Sequence, residues 1–221
     1  MKPPAWSFSA LNAFLTCPRQ YEAVKVSKRF EETKSDATLW GTYFHEVAER
    51  YLKDEAPLPE EFEQYRAYLD KYKNTFGKLA VELKLGITRT LEPCDFHAPN
   101  VWCRGIVDVL AQIDNIAIVV DHKTGKRKPD SKQLKLFALL VFAHFPKTKM
   151  CLTKFEWIKS GESDISTFMR AEIPALWGDF VPELKLFAEA FKTETFTPKQ
   201  SGLCKAHCPV SDCEFHGTGR R

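Results

Sequence analysis

The chain reads as an α/β protein built on a mixed central β-sheet flanked by helices. Three observations predict this. Apolar residues recur at helical spacing through the first third of the chain. A clear period-two alternation then begins at Leu79. Finally, a helical stretch separates three early strands from two later ones, an order that suits a sheet covered by helices.

Taken in order, Ser7-Phe8-Ser9 offers an N-cap, and Ala10, Leu11, Phe14 and Leu15 follow at helical spacing, giving a short helix that ends around Cys17-Pro18. The charge-rich stretch from Ser27 to Asp36 reads as a loop. Trp40, Phe44, Val47, Ala48 and Tyr51 form the stripe of a second helix, on which His45 and Glu49 share a face. Ala56-Pro57-Leu58-Pro59 is a linker, and Phe62, Tyr65, Leu69, Tyr72 and Phe76 mark a third amphipathic helix. Leu79, Val81, Leu83, Leu85 and Ile87 alternate with Ala80, Glu82, Lys84 and Gly86 as a first strand. Strands follow near 101–112 and 116–123, joined by a tight turn at Asp114-Asn115. Gly125 and Pro129 break the chain, and Gln133 to Phe145 reads as a helix. A strand near 149–158, a hairpin at Ser160-Gly161-Glu162 and a strand near 163–172 complete the sheet. Pro174 opens a last helix with the stripe Leu176, Trp177, Phe180, Leu184, Phe187 and Phe191. The tail after Phe196 has little periodicity.

A length of 221 residues, 44% hydrophobic content and 17 phenylalanines suit one well-filled domain. No run of about 18 uninterrupted apolar residues occurs, so no membrane span is expected. Met1-Lys2-Pro3-Pro4-Ala5-Trp6 lacks the apolar segment of a signal peptide, which makes the expected location cytoplasmic. A net charge of +3 is too small to argue nucleic-acid binding by itself. Its local clustering says more: Lys123, Lys126, Arg127, Lys128, Lys132 and Lys135 gather in one stretch.

That stretch adjoins the most informative residues of the chain. Asp121-His122-Lys123 ends the apolar run Ile116–Val120, and Asp108 lies inside a second apolar run, Gly105–Leu110. An aspartate within a core strand is costly unless it is paired, hydrogen-bonded or bound to a cation. Alternation along a strand points Asp121 and Lys123 to the same side, with His122 opposite. A hairpin at Asn115 brings Asp108 toward Asp121. Two carboxylates beside a lysine are the kit for metal-assisted hydrolysis of a phosphodiester: the carboxylates hold a hard cation and the lysine orients or activates water. An Asp-x-Lys taken alone fits a buried ion pair equally well. His45 and Glu49 are possible contributors from their helix, and Glu82 faces either the site or solvent.

The elements together resemble the RecB-like branch of the PD-(D/E)xK nuclease superfamily. The resemblance is carried by Ser7-Phe8-Ser9-Ala10-Leu11 through Cys17-Pro18-Arg19-Gln20-Tyr21, by Gly41-Thr42-Tyr43-Phe44-His45, by Gly105-Ile106-Val107-Asp108 and by Asp121-His122-Lys123-Thr124-Gly125. Gln133 falls where the family has a glutamine on the following helix. Phe137 stands where it usually has a tyrosine, so no hydroxyl acts there. The resemblance implies a restriction-endonuclease-like core in one domain, 1–221, with a helical part at 1–77, the nuclease core at 78–173, and a last helix and cysteine-rich tail at 174–221. It implies Mg²⁺ or Mn²⁺ held by Asp108, Asp121, His45 and the backbone carbonyl of His122. It further implies that Lys123 positions the attacking water, that Gln133 orients the nucleophile or contacts DNA, and that Lys126, Arg127 and Lys128 bind DNA.

Seven cysteines, an odd number, argue against a disulfide framework. Cys204, Cys208 and Cys213 crowd one stretch. With Cys17 they resemble the iron–sulfur staple of RecB-like nucleases, which implies a [4Fe-4S] cluster joining the N- and C-terminal segments. His207 and His216 lie close by, so a structural Zn²⁺ site is the alternative, and free thiols in the tail are a third reading. Cys94, Cys103 and Cys151 show no ligand spacing. The expected activity is a metal-dependent DNA exonuclease of recombination, repair or phage DNA processing. The alternatives are a CRISPR-adaptation nuclease that trims DNA ends with a protein partner, and a catalytically inert DNA-binding module. No Walker A motif is present to drive unwinding.

Overall fold

Apolar runs that alternate or continue over eight or so residues build the strands, and Gly, Asn and Asp positions turn them. The structure, a computed structural model, describes residues 1–32, 35–76, 79–128 and 132–219. Pro129, expected to break the chain, and the Phe76 side chain lie outside the described residues. Strands β1 (Leu79–Ile87), β2 (Pro93–Cys94), β3 (Cys103–Ile113), β4 (Ile116–Lys123), β5 (Met150–Trp157) and β6 (Glu162–Met169) form one sheet in the order β2-β1-β3-β4-β5-β6. β4 and β5 run parallel and all other neighbours antiparallel, so the sheet is mixed as expected. The parallel pair requires a crossover, supplied by helix α5 (Lys132–His144). Asp114 adopts φ 51° in the β3–β4 turn and Gly161 φ 67° in the β5–β6 turn, both left-handed as tight hairpins demand.

The chain forms two compact units, Asp36–Trp177 and the paired chain ends Met1–Ser35 with Gly178–Arg221. In the first unit the sheet carries α3 (Asp36–Leu52) and α4 (Arg66–Phe76). Phe44, Ala48, Leu52, Phe62, Leu69 and Tyr72 close over Val109 and Val120 of the sheet. The third helical stripe is divided: Glu60–Tyr65 is a 3₁₀ turn and only then does α4 begin. Packing of Phe62, 1% exposed, against Trp40, Tyr43 and Phe44 draws that turn inward. β6 stops at Met169 rather than near 172, because Arg170 turns back and donates to the carbonyls of Phe142, Phe145 and Thr148. It thereby satisfies open acceptors at the end of α5.

The second unit is organised by aromatic residues. α1 (Phe8–Thr16) is capped by Ser7, whose Oγ accepts from the Ala10 N–H at 3.2 Å. A short α2 (Pro18–Tyr21) continues into a π-helical turn, Glu22–Val26, that periodicity did not reveal. The final stripe is also two helices, α6 (Ile173–Gly178), which belongs to the first unit up to Trp177, and α7 (Val181–Thr193) in the second. Pro182 cannot occupy a helix interior, so the helix restarts with it in the first turn. Phe187 meets Phe14 at 5.1 Å, Tyr21 at 5.7 Å and Phe191 at 4.9 Å, and Trp6 meets Phe180 at 5.9 Å. Among the described residues no helix is long and apolar enough to cross a membrane.

Candidate functional site

The β3–β4 ladder pairs Val109 with Val120, so the next row sets Asp108 opposite Asp121. Oδ2 of Asp108 accepts the His122 backbone N–H at 2.7 Å, which fixes this carboxylate against β4. His45, on α3, brings Nδ1 to 3.3 Å from the same oxygen, and the His122 backbone pulls its pKa up against the effect of burial. On the other side of the row, Lys123 Nζ lies 2.6 Å from Asp121 Oδ2 and donates to Gln133 Oε1 at 2.8 Å. Gln133 Nε2 completes the triangle by donating to Asp121 Oδ1 at 3.1 Å. The ion pair expected on the plainer reading of Asp-x-Lys is therefore present, locked by the first turn of α5.

Burial sets the electrostatics. Asp108 and Asp121 are 8% and 4% exposed, and desolvation raises both carboxyl pKa values. The charge of Asp121 raises Asp108 further, while Lys123 opposes the rise at both. Burial lowers the His45 pKa, so its imidazole is neutral and a competent ligand at neutral pH. A cation would remove the repulsion that these carboxylates now carry. His45, Asp108 and His122 already bring donor atoms within 4.8 Å of one another. Carboxylate and carbonyl oxygens with a single imidazole fit Mg²⁺ or Mn²⁺. The His122 ring is a different matter. Its Nδ1 stands 3.8 Å from Asp108, but the ring is enclosed edge-on by Phe44 and packed against Tyr68 and Tyr72, and burial drives its pKa down to about 3. It acts as a neutral packing group, and its backbone carbonyl is the donor on offer.

Periodicity left Glu82 facing either the site or solvent, and the structure places it in the cleft. Asp121 faces Gln133 of α5 whereas its neighbour His122 faces α3 and α4, so these helices cover opposite faces of the sheet. On β3, Gly105 lies under Leu140 and Phe137 of α5, yet Val109 packs with α3 and α4. Residues an even number apart share a face in a regular strand. The alternation therefore inverts between them, with no shift in the β1–β3 register. Glu82 sits at the inversion, opposite Asp108, with φ 53° in the left-handed region. Such a conformation is sparsely populated for a non-glycine residue and concentrates at functional sites. It brings Glu82 Oε1 to 4.0 Å from His45, and burial, then Glu49, raises the Glu82 pKa to about 7. Glu49 lines the same cleft but is paired with Lys53 at 2.6 Å.

The cleft, about 620 Å³, runs between the start of α3 and the strands and is floored by Ile106, Asp108 and Glu82. Its closeness depends on Gly41, where a Cβ would stand 2.6 Å from Thr124 Oγ1. Gly105 has a similar role on the opposite face, and the buried Phe137 ring fills the space above it. Lys126, Arg127 and Lys128 are exposed after β4, but Arg127 is held by Glu162 at 2.8 Å and by a short contact to Asp164.

In the other unit, four cysteines share one neighbourhood. Burial raises the Cys208 pKa, and Cys17, Cys204 and Cys213 each add to the rise. Backbone N–H groups point at two of the sulfurs: Lys199 donates to Cys17 and Ser201 to Cys204, each at 3.4 Å. Such donors favour thiolates, the form that binds metal. Arg19 and Arg29 both reach Asp212, tying the same two segments together at 3.2 and 3.0 Å.

The family model of the PD-(D/E)XK nuclease superfamily matches residues 5–213. Among solved structures, a candidate exonuclease from Eubacterium rectale is similar at 15% identity and a TM-score of 0.53, over 90% of this chain and 85% of its own. This likeness concerns the fold alone. The protein SSO0001 aligns over 97% of this chain and 87% of its own, at 13% identity and a TM-score of 0.42. No curated protein matches the sequence.

Proposed function

The chain belongs to the PD-(D/E)XK nuclease superfamily and has its restriction-endonuclease-like fold, and from that premise we propose that it is a divalent-metal-dependent DNA exonuclease serving recombination, repair or phage DNA processing. The observation that carries the reading is the closed arrangement of Asp121, Lys123 and Gln133 beside Asp108, with His45 Nδ1 3.3 Å from the Asp108 carboxylate. Asp108, Asp121, His45 and the His122 backbone carbonyl would hold Mg²⁺ or Mn²⁺, which supplies charge neutralisation at the phosphate and lowers the pKa of water. Lys123 holds the attacking water in line and stabilises negative charge on the phosphate oxygens. Gln133 keeps the ammonium directed by holding Lys123 and Asp121 together. End-labelled linear single- and double-stranded DNA, incubated with Mn²⁺ or Mg²⁺, tests this reading. Metal-dependent shortening from an end that is lost in Lys123→Ala is expected; internal nicking of closed circles, or no cleavage by the unmodified chain, rejects it.

For the other unit we propose that Cys17, Cys204, Cys208 and Cys213 hold a [4Fe-4S] cluster with a structural role. The convergence of four sulfurs with N–H donors directed at two of them supports this. Anaerobic purification followed by iron, sulfide and zinc analysis decides it. Four irons with matching acid-labile sulfide are expected, and one zinc per chain overturns the assignment in favour of a zinc site.

A further inference from the structure

Beyond the carboxylates, the cleft face of β1 and β3 carries charge that hydrolysis itself does not use. Past the row of Glu82 and Asp108, Lys84 stands beside Ile106 and Gly86 beside Arg104. Because Gly105 faces α5, its neighbours Arg104 and Ile106 face the opposite side, where Ile106 lines the cleft. Ile106 is an apolar side chain left 36% exposed, and Lys84 is exposed beside it. Lys84 is near enough to Glu82 to pull its pKa down against the effect of burial. Neither Lys84 nor Arg104 forms an ion pair among the described residues, in contrast to Arg127.

Arg104 is nonetheless positioned. Its guanidinium lies over the Phe96 ring, 4.8 Å from the centroid, and donates to the Phe96 carbonyl at 3.4 Å. Stacking orients a guanidinium while leaving its charge and remaining donors for an anion. The far end of the strip is closed. A Cβ on Gly86 would meet the carbonyl oxygens of Cys94 and Asp95 at 3.0 Å, so that segment sits directly on the strand. The strip thus runs from the carboxylates, past Lys84 and Ile106, to Arg104 against a wall. At roughly 3.3 Å per residue, Ile106 lies about 7 Å and Arg104 about 13 Å along β3 from Asp108.

We propose that this strip binds a single-stranded nucleic-acid end leading to the scissile phosphodiester, with Lys84 and Arg104 on phosphates and Ile106 against a base. The proposal rests on the nuclease reading above and adds the form of the substrate. An apolar platform between cations suits an unstacked base whose face is free, whereas a duplex keeps its base faces covered. The wall at Cys94-Asp95 limits the strip to a short terminal segment.

Salt-dependent binding tests it without requiring turnover. The probe is a fluorescein-labelled oligothymidylate, titrated with the full chain in Ca²⁺ at several salt concentrations and followed by anisotropy. Each phosphate contact to a single strand contributes about 0.7 to the slope of log affinity against log salt. Lys84→Gln, an exposed substitution that leaves the core untouched, is expected to lower the slope by about 0.7, and Lys84→Gln with Arg104→Gln by about 1.4. Ile106→Asn is expected to weaken binding at unchanged slope. Lys147→Gln, in the turn before β5 and at the end of the sheet away from Asp121, is the control expected to change neither. Unchanged slopes in both Lys84 variants, or tighter binding of a blunt duplex than of the oligothymidylate, overturn the proposal. Hydrolysis of bis(4-nitrophenyl) phosphate in Mn²⁺ engages the carboxylates and Lys123 without the strip. Its absence in the unmodified chain counts against the nuclease reading, whereas its presence with unchanged slopes rejects only the strip.

Discussion

The two sites of this protein are built on opposite principles. The carboxylate site lies on the central strands of a sheet, where β4 is paired on both sides and the side chains of Asp108, Asp121, Lys123 and Gln133 are held by other protein groups. The cysteine site lies on turns, and Gly202–Lys205 is the only helical element, a 3₁₀ turn, among the described residues after α7. The first is shaped before any ion arrives and pays for that shape with buried, mutually repelling carboxylates. The second has little framework of its own, so the metal group proposed there would have to organise the cysteines that hold it. Loss of the ion should therefore cost activity at one site and structure at the other.

The largest test of that contrast is chemical. Asp121→Ala and Lys123→Ala are each expected to lower cleavage of linear DNA by roughly a thousandfold, with circular dichroism unchanged. Substantial remaining activity in either variant removes it from the catalytic set. At the cysteine site the same severity should appear as stability instead. Cys17→Ala is expected to lose the bound iron and about 10 °C or more in melting temperature; an unchanged melting profile and metal content would exclude Cys17 as a ligand.

Asp108 sharpens the comparison in the other direction. Burial raises its folded-state pKa above the ordinary aspartate range, so the native state binds a proton that the unfolded chain has released. Stability of the metal-free protein should therefore fall as pH rises from about 4. Asp108→Asn keeps an acceptor for the His122 N–H and removes the buried charge. It is expected to abolish cleavage yet melt a few degrees higher at pH 8 in chelator, by about 2–4 °C for each kcal/mol recovered. A lower melting temperature would show that the carboxylate is stabilising after all.

Smaller effects probe the walls of the cleft. Gly41→Ala sets a Cβ against Thr124 Oγ1 and should reduce activity about tenfold by pushing α3 outward. Adding Thr124→Ala removes the clashing oxygen, and recovery is expected in a steady-state assay; no recovery would mean that α3 is placed by something other than this contact. Arg127→Gln should alter oligonucleotide affinity less than twofold, because Glu162 and Asp164 already neutralise that cation. A drop comparable to that of Lys84→Gln would show that these pairs open to meet the substrate.

The legibility of these features in the sequence follows how local their causes are. β4 was readable to its last residue because an apolar run met Asp121-His122-Lys123 without ambiguity. α5 and the β3–β4 turn were readable for the same reason, each having its signal within a few residues. The break before α7 was signalled by Pro182 but hidden by an unbroken aromatic stripe. Glu82 was legible as a carboxylate facing either the site or solvent, but its backbone was not. Its left-handed backbone preserves both the β1–β3 register and the period-two pattern, so the inversion exists only in three dimensions. The service of Gly41 to Thr124 was equally silent, since a glycine in a helix does not say which distant side chain needs the room. Of the candidate site, the charged residues were visible, while the constraints that place them were not.

The inversion at Glu82 also makes β1 and β3 two surfaces in one ladder. Residues 79–81 and 109–111 belong to the packing under α3 and α4, whereas residues 83–87 and 103–107 present their other side to the cleft. A single ladder can then be edited in halves. The side chains of Lys84, Ile106 and Arg104 are open to replacement by others of different charge or size, while Leu85, Ile87 and Cys103 between them stay buried and the interior behind Val81 and Val109 stays as it is. New substrate preferences can be drafted there without redesigning the protein that carries them.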